Sequence, residues 1–326
     1  MRALAMLALV ACGGSAAKSA EAPAAPQAPA ERMLAMLPPG AQVVIELDLA
    51  RLRANPVVGG AVARALASGE LPAGVPASPL AEADQVVLAA YGVGTAQAAT
   101  LTVLAASHEL AGASKLADGY YIVGPPDWIE QAQARVALSS TGDVKLAIAA
   151  APELLALRKR AMPAGAPGAA LRVTARLPFD ARIALARQTG LDAAPAQLSA
   201  WADVADDLAL IVDCDAADPG AKRANEAARR LAASLRGTLA AVADEPLVRA
   251  LGLPSSLTNA RLIAQGAWVR TIIAVGPAHL KRVVDRANAL LDEAKPGAAK
   301  PGAKPDATKP PPAKPDAATA PPGDRS

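Results

Sequence analysis

Apolar and polar positions alternate over residues 41–49, with Val43, Ile45, Leu47 and Leu49 on one side and Val44, Glu46 and Asp48 on the other. A period of two predicts a half-buried strand. Asn55-Pro56 then supplies a cap and a first-turn proline for a helix through about residue 67, and 69–79 is a Pro/Gly loop. Two apolar runs, 85–91 and 99–106, flank Gly92-Val93-Gly94-Thr95 and predict a β-hairpin. A short strand at 120–123 runs into Gly124-Pro125-Pro126-Asp127, which opens a helix over 128–136; 145–149 reads as strand and 152–162 as helix.

The second half repeats this grammar. Residues 171–177 alternate as a strand and lead to a helix over 179–189; 207–214 is a strand, and Asp218-Pro219 caps a helix to about residue 243, where Glu245-Pro246 stops it. Residues 258–264 and 268–275 form a second hairpin around Gln265-Gly266-Ala267, and Gly276-Pro277 starts a last helix to about residue 293. Ile122-Val123-Gly124-Pro125 is echoed by Ala274-Val275-Gly276-Pro277, each before a helix. The repeated order predicts an α+β fold of two similar lobes, 33–139 and 140–293, with mostly antiparallel strands and flanking helices.

Residues 86–107 carry no charge, so a membrane span competes with the first hairpin. Two glycines, three threonines and a glutamine interrupt the run, and β-formers cluster at both ends, which favours the hairpin.

The chain begins Met1-Arg2, continues with a brief apolar run and reaches Leu9-Val10-Ala11-Cys12. The run is too short to span a bilayer, which needs about 20 residues. Leu9-Val10-Ala11-Cys12 resembles the lipobox of bacterial lipoproteins, with a small residue before the cysteine. The resemblance implies cleavage after Ala11, a diacylglyceryl thioether on Cys12 and acylation, such as palmitate, of the new amino terminus; the competing reading is an ordinary secretory signal. One acyl chain binds a bilayer marginally, several hold firmly. Gly13 after the cysteine, rather than Asp, resembles lipoproteins sorted to the outer membrane and facing the periplasm. Residues 1–11 would then be a signal peptide, and 12–32, rich in Ala and Pro, a disordered tether.

Composition changes the picture in one respect. The sequence pI of about 8.9 suggests nucleic acid as a partner, but the basic excess is local. Residues 294–326 hold five Lys and Arg325 against Asp306, Asp316 and Asp324, and without that tail and Arg2 the chain has 26 basic and 27 acidic residues. A nearly neutral domain lacks the basic face that nucleic-acid binding requires. Lys-Pro recurs at 295, 300, 304, 309 and 314, so the tail reads as extended and disordered. An anionic envelope polymer is its candidate partner, and a merely solubilising role is the alternative.

The chemistry-bearing residues are few. Cys12 and Cys214 are the two cysteines; if Cys12 is acylated, Cys214 has no intramolecular partner, and at the end of an apolar run it reads as a small buried hydrophobe. His108 and His279 stand alone, without a second ligand at zinc spacing, and His279 reads as a surface residue. There is no Gly-x-Ser-x-Gly elbow, and Gly92-Val93-Gly94 lacks the later glycine and helix of a phosphate loop. Asp213, Asp215 and Asp218 are weak metal candidates: a calcium loop closes with a glutamate at its twelfth position, where this chain has Ala224. No cofactor is implied. The helix over 219–243 is amphipathic, with a core-facing stripe as its plain reading and membrane-surface contact as the other. Together these readings predict a non-enzymatic, membrane-anchored binding or structural component of the envelope. Its rival is an envelope enzyme whose carboxylates, Asp48, Asp213 and Asp215, converge only in three dimensions.

Overall fold

The computed structural model describes residues 29–67, 77–139, 152–163, 166, 168–192, 194–216 and 224–293. Ten strands form one antiparallel sheet: β1 Val43–Asp48, β2 Gln85–Tyr91, β3 Ala99–Ala105, β4 Ser114–Ala117, β5 Tyr120–Val123, β6 Leu171–Arg176, β7 Gln197–Val204, β8 Leu208–Asp215, β9 Arg261–Gln265 and β10 Trp268–Val275. Their spatial order is β4-β5-β3-β2-β1-β6-β7-β8-β10-β9. Counted outward from the middle, both halves run first strand, second, third, fifth, fourth. The two lobes are therefore topological equivalents within one α+β sheet, with β1 and β6 as the seam.

The seam pairs Val43 with Ala175 and Leu47 with Leu171. A twofold axis perpendicular to the sheet between Ile45 and Val173 superposes the ends of β1 on those of β6. Bonds at both ends extend the seam: the Asp48 amide donates to the Ala170 carbonyl at 3.0 Å and the Arg176 amide to the Gln42 carbonyl at 2.7 Å. Asn55 adds a third tie, its Nδ2 donating to the Val204 and Ala205 carbonyls at 3.2 and 2.9 Å.

Helices cover both faces: α1 Pro29–Met36, α2 Leu49–Ala54, α3 Gly59–Ala67, α4 Ala77–Glu82, α5 Pro126–Ser139, α6 Pro152–Arg158, α7 Phe179–Thr189, α8 Ala224–Ala243, α9 Pro246–Leu251, α10 Pro254–Thr258 and α11 Pro277–Glu293. Because side chains alternate across a strand, even positions of β1 and odd positions of β2 point to one face, here the front. There Val44, Val87, Ala89, Leu101, Val103 and Ile122 bury themselves against Met33 of α1, Leu37 just after it and Ala132 of α5. The back carries the larger core, in which Leu47, Val86, Leu104, Leu171, Ala202, Leu208 and Ile273 meet Leu52, Val248, Leu257, Leu280 and Val283 from the helices and Val58 from the turn before α3. Cys214, Ala228, Leu231 and Val269 form a third cluster under α8.

Several elements depart from the sequence reading, each for a local reason. The alternation through Leu49 overruns β1: the Asp48 carboxylate accepts from the Arg51 amide at 2.9 Å, which starts α2. Asn55 does cap, its Oδ1 accepting from Val57 and Val58 amides at 2.8 and 3.0 Å, but regular helix begins only at Gly59. Part of the expected loop is helix α4. Strand β7 is absent from the sequence reading, as are α9 and α10, two short helices bounded by Pro246, Gly252 in left-handed conformation (φ 78°) and Pro254. The expected strand at 145–149 and the helix start at 219–223 lie outside the described residues. The uncharged run 86–107 is the β2–β3 hairpin, with Gly92 and Gly94 at φ 59° and 86° in its turn. Among the described residues no helix is long and apolar enough to cross a membrane.

Candidate functional site

The two Gly-Pro junctions fall at equivalent positions, after β5 and β10, yet their helices go to opposite faces. Helix α5 packs on the front through Trp128, Ile129 and Ala132, whereas α11 packs on the back through Leu280, Val283 and Val284. Trp128 stacks on Tyr91 at 4.0 Å between ring centroids, and the Tyr91 hydroxyl donates to the Pro38 carbonyl at 3.0 Å. These contacts fix the Pro38-Pro39-Gly40 turn that links α1 to β1.

Beside that turn, on the front of the seam, lies a cavity of about 220 Å³. Helix α1 contributes Glu31, Leu34 and Ala35; the turn contributes Leu37, Pro38, Pro39, Gly40 and Ala41; α6 contributes Leu154, Leu155 and Arg158, with Lys159 following. Val44 and Glu46 of β1 and Thr174 of β6 make its floor, and Arg135 of α5 reaches it from the side. Helices α1 and α6 each precede a seam strand, so the cavity sits where the twofold relation brings the two halves together. The walls are mostly aliphatic.

Its floor is ionic. Glu46 and Arg158 are both buried and joined by two hydrogen bonds, Arg158 Nε to Oε1 at 2.6 Å and Nη2 to Oε2 at 2.8 Å. Arg158 Nη1 also reaches Glu31 Oε1 at 3.3 Å. Burial alone disfavours the Arg158 cation, but the bonds and attraction from Glu46, with Glu31 adding, more than offset it and raise its pKa. Directly across the seam, Arg172 pairs in register with Glu46 and shares its face. Both Glu46 oxygens accept from Arg158, and the hydrogen bond of Arg172 among the described residues is to the Met162 sulfur, 3.3 Å from Nη2. Its Nε is buried with no hydrogen-bond partner among the described residues. Burial, and then repulsion from Arg158, lower the Arg172 pKa.

The residues singled out from sequence are dispersed. Asp213 is buried and held by Arg270, whose Nε and Nη2 each donate to it at 2.8 Å, and Arg160 Nε stands 3.7 Å away. The Arg160 guanidinium carbon lies 3.7 Å from the Trp268 ring centroid. Asp215 is buried one residue pair further along β8, opposite Trp268. Asp218 and Cys12 lie outside the described residues, as does the Lys-Pro tail. Asp48 is on β1, three strands from β8. Three strand spacings put about 14 Å between them, so the fold does not gather Asp48 with Asp213 and Asp215. Among the described residues no group of three His, Cys, Asp or Glu side chains is placed to hold a metal ion.

Cys214 is buried, and burial, with Asp213 and Asp215 adding repulsion, pushes its thiol up to about 12, which suits a packing residue. His108 is exposed and meets Glu82 Oε2 at 3.1 Å. His279 is half-buried rather than a surface residue: its Nε2 lies 2.6 Å from the Gly252 carbonyl, because α10 and the Gly252 turn fold over the start of α11. Along α8, Ala227, Ala228 and Leu231 are buried while Arg229, Arg230 and Arg236 are exposed, the core-facing stripe of an amphipathic helix.

Glu46, Arg158 and Arg172 were not singled out from the sequence. A signal exists: Arg158 follows Leu154 by four and Leu155 by three, and so falls on the apolar face of α6, while Glu46 interrupts a strand whose neighbours on both sides are apolar.

The chain matches no protein-family profile and no curated protein. Among solved structures it is similar to crystal form I of TP0453, with a TM-score of 0.39 and 8% sequence identity over 78% of this chain and 96% of that one.

Proposed function

We propose that this protein is a non-enzymatic lipoprotein of the cell envelope, anchored in the outer membrane through an acylated Cys12, whose periplasm-facing α+β domain binds a small molecule in the cavity over the β1–β6 seam. The observation that carries the binding role is the cavity itself: aliphatic walls around a few fixed polar groups are the usual make-up of a ligand pocket. At about 220 Å³ it exceeds the roughly 150 Å³ apolar cavity that admits benzene, so a ring or a short aliphatic chain fits and a whole phospholipid does not. The non-enzymatic role draws support from how the buried carboxylates are used. Glu46 is tied to Arg158, Asp203 to Arg51 and Asp213 to Arg270, pairings that hold secondary structure together.

The anchor rests on Leu9-Val10-Ala11-Cys12 and is tested separately. Cells fed labelled palmitate are expected to label the protein, and Cys12→Ala is expected to lose the label and leave the membrane fraction. Label that persists in Cys12→Ala contradicts the anchor.

A further inference from the structure

We infer that the domain docks on a lipid bilayer by the end of the sheet at which β1 begins, with Phe179 and Ile183 of α7 entering the head-group layer. The inference rests on the Cys12 anchor proposed above and goes on to name the face that the anchored domain turns to the lipid.

The two ends of the sheet differ in charge. Strand register places the entry to β1, the β2–β3 turn, the exits of β5 and β6 and the β9–β10 turn at one end. Residues 38–42, 92–98, 124–125, 177–178 and 266–267, which make these connections, carry no charge. The opposite end is charged: Arg53 pairs with Asp84 before β2, Lys115 with Asp118 between β4 and β5, and Asp206 and Asp207 form the β7–β8 turn. Leaving water costs the uncharged end far less.

Helix α7 belongs to that uncharged end. Because β6 and β7 are antiparallel neighbours, the connection between them leaves and re-enters the sheet there, and α7 lies within it. A Cβ on Gly94 would stand 3.2 Å from the Ala181 amide nitrogen, so α7 rests on the β2–β3 turn through buried Ala181. Phe179 and Ile183, two residues to either side of Ala181, project from the opposite side of the helix. Phe179, the chain's single phenylalanine, is 70% exposed, and Ile183 is 36% exposed. A lone exposed apolar residue is ordinary, but these two lie one turn apart on one face. The exposed charges on the same helix, Asp180 and Arg187, cancel.

The occupant follows from the chain that precedes the domain. Residues 12–28 reach at most about 60 Å when fully extended, so an acylated Cys12 keeps the domain beside the bilayer. Helix α1 has eight residues, rises about 12 Å and ends at the Pro38-Pro39-Gly40 turn, which is part of the uncharged end. The tether is thus attached within one short helix of that end. Lipid is the apolar phase held there at high local concentration, and a weak contact through one aromatic and one aliphatic side chain suffices. The same turn walls the seam cavity, so docking sets the cavity beside the lipid.

The test is fluorescence of the native acylated chain in vesicles of phosphatidylcholine with a minority of phosphatidylglycerol. A nitrobenzoxadiazole label is placed through Ala184→Cys, exposed beside Ile183, or through Asp206→Cys at the opposite end; Cys214 is buried and stays unlabelled. The label at 184 is expected to brighten and shift to the blue, and the label at 206 to stay aqueous. Phe179→Ser is expected to move the docked equilibrium about tenfold towards undocked. Its circular dichroism melt is expected to match the parent, because Phe179 lies outside the core. Flotation and intact mass report the anchor independently. An acylated chain whose label at 184 is as aqueous as at 206, or shifts equally in Phe179→Ser, would overturn the docking face and leave the anchor standing. An unacylated chain whose label at 184 still shifts with vesicles would overturn the anchor alone, and one that shows no shift would overturn both. A shift that arises without vesicles and grows with protein concentration would overturn lipid docking in favour of a second copy of the chain.

Discussion

The first half closes its front face with Val44, Val87, Leu101, Val103 and Ile122 beneath α1 and α5; the second half lays Arg172, Ser199, Asp203, Asp213 and Arg270 on the same face of the same sheet. Strand order is shared, but what the strands carry is not. In the second half the loop after α6 answers the polar groups one by one: the Ala161 amide donates to Ser199 Oγ at 3.3 Å, Arg270 Nη2 to the Arg160 carbonyl at 3.0 Å and Trp201 Nε1 to the Gly168 carbonyl at 3.0 Å. Farther out, Ile211, Ile263 and Ile272 are half-buried, and α11, the counterpart of α5, has gone to the back. Topology is thus set by backbone pairing that either side-chain set can satisfy, while the chemistry of a face depends on which helix comes to cover it. The seam is where an apolar front meets an ionic one, and the cavity there takes its walls from the first character and its floor from the second.

The sharpest way to break this comparison is at the seam. Arg158→Met leaves Glu46 buried without its partner and is expected to cost about 3–5 kcal/mol in urea unfolding, whereas Glu46→Leu combined with Arg158→Met is expected to come back close to the parent. A single variant that costs less than about 1 kcal/mol would mean that the ionic floor is not a buried pair in solution.

A smaller effect separates the two Gly-Pro junctions. A Cβ on Gly124 would lie 2.7 Å from Leu101 Cδ1 and 3.1 Å from the Thr100 carbonyl, while one on Gly276 would meet nothing within 4 Å. Gly124→Ala is therefore expected to cost about 1–3 kcal/mol and Gly276→Ala to stay within about 0.5 kcal/mol, read as midpoint shifts in the same unfolding assay. Equal costs would show that the helices after β5 and β10 pack alike, against the asymmetry described here.

The sequence made some of this legible because period-two alternation and Gly/Pro punctuation are local. Strands β1, β2, β3, β6, β8 and β10 announce themselves by apolar side chains, and the echo of Val123-Gly124-Pro125 in Val275-Gly276-Pro277 falls on equivalent junctions. Strand β7 was illegible for a physical reason: Ala200 and Ala202 fill its back face, Ser199 and Asp203 its front, and such residues look like loop until the ion pairs around them are known. Arg158 and Glu46 lie 112 residues apart, and nothing local reveals that one will be buried on the other. Asp213, by contrast, stood out as a carboxylate at a strand end, yet Arg270 meets it across a hairpin strand that pattern alone does not bring alongside.

The central claim is that the β1–β6 seam holds a ligand, and native mass spectrometry of the protein purified gently from its own membrane tests it most directly. The account predicts a non-covalent adduct of small mass, released on denaturation and missing from Leu154→Trp. A spectrum showing the bare polypeptide with its covalent modification alone, identical for parent and Leu154→Trp, would contradict it.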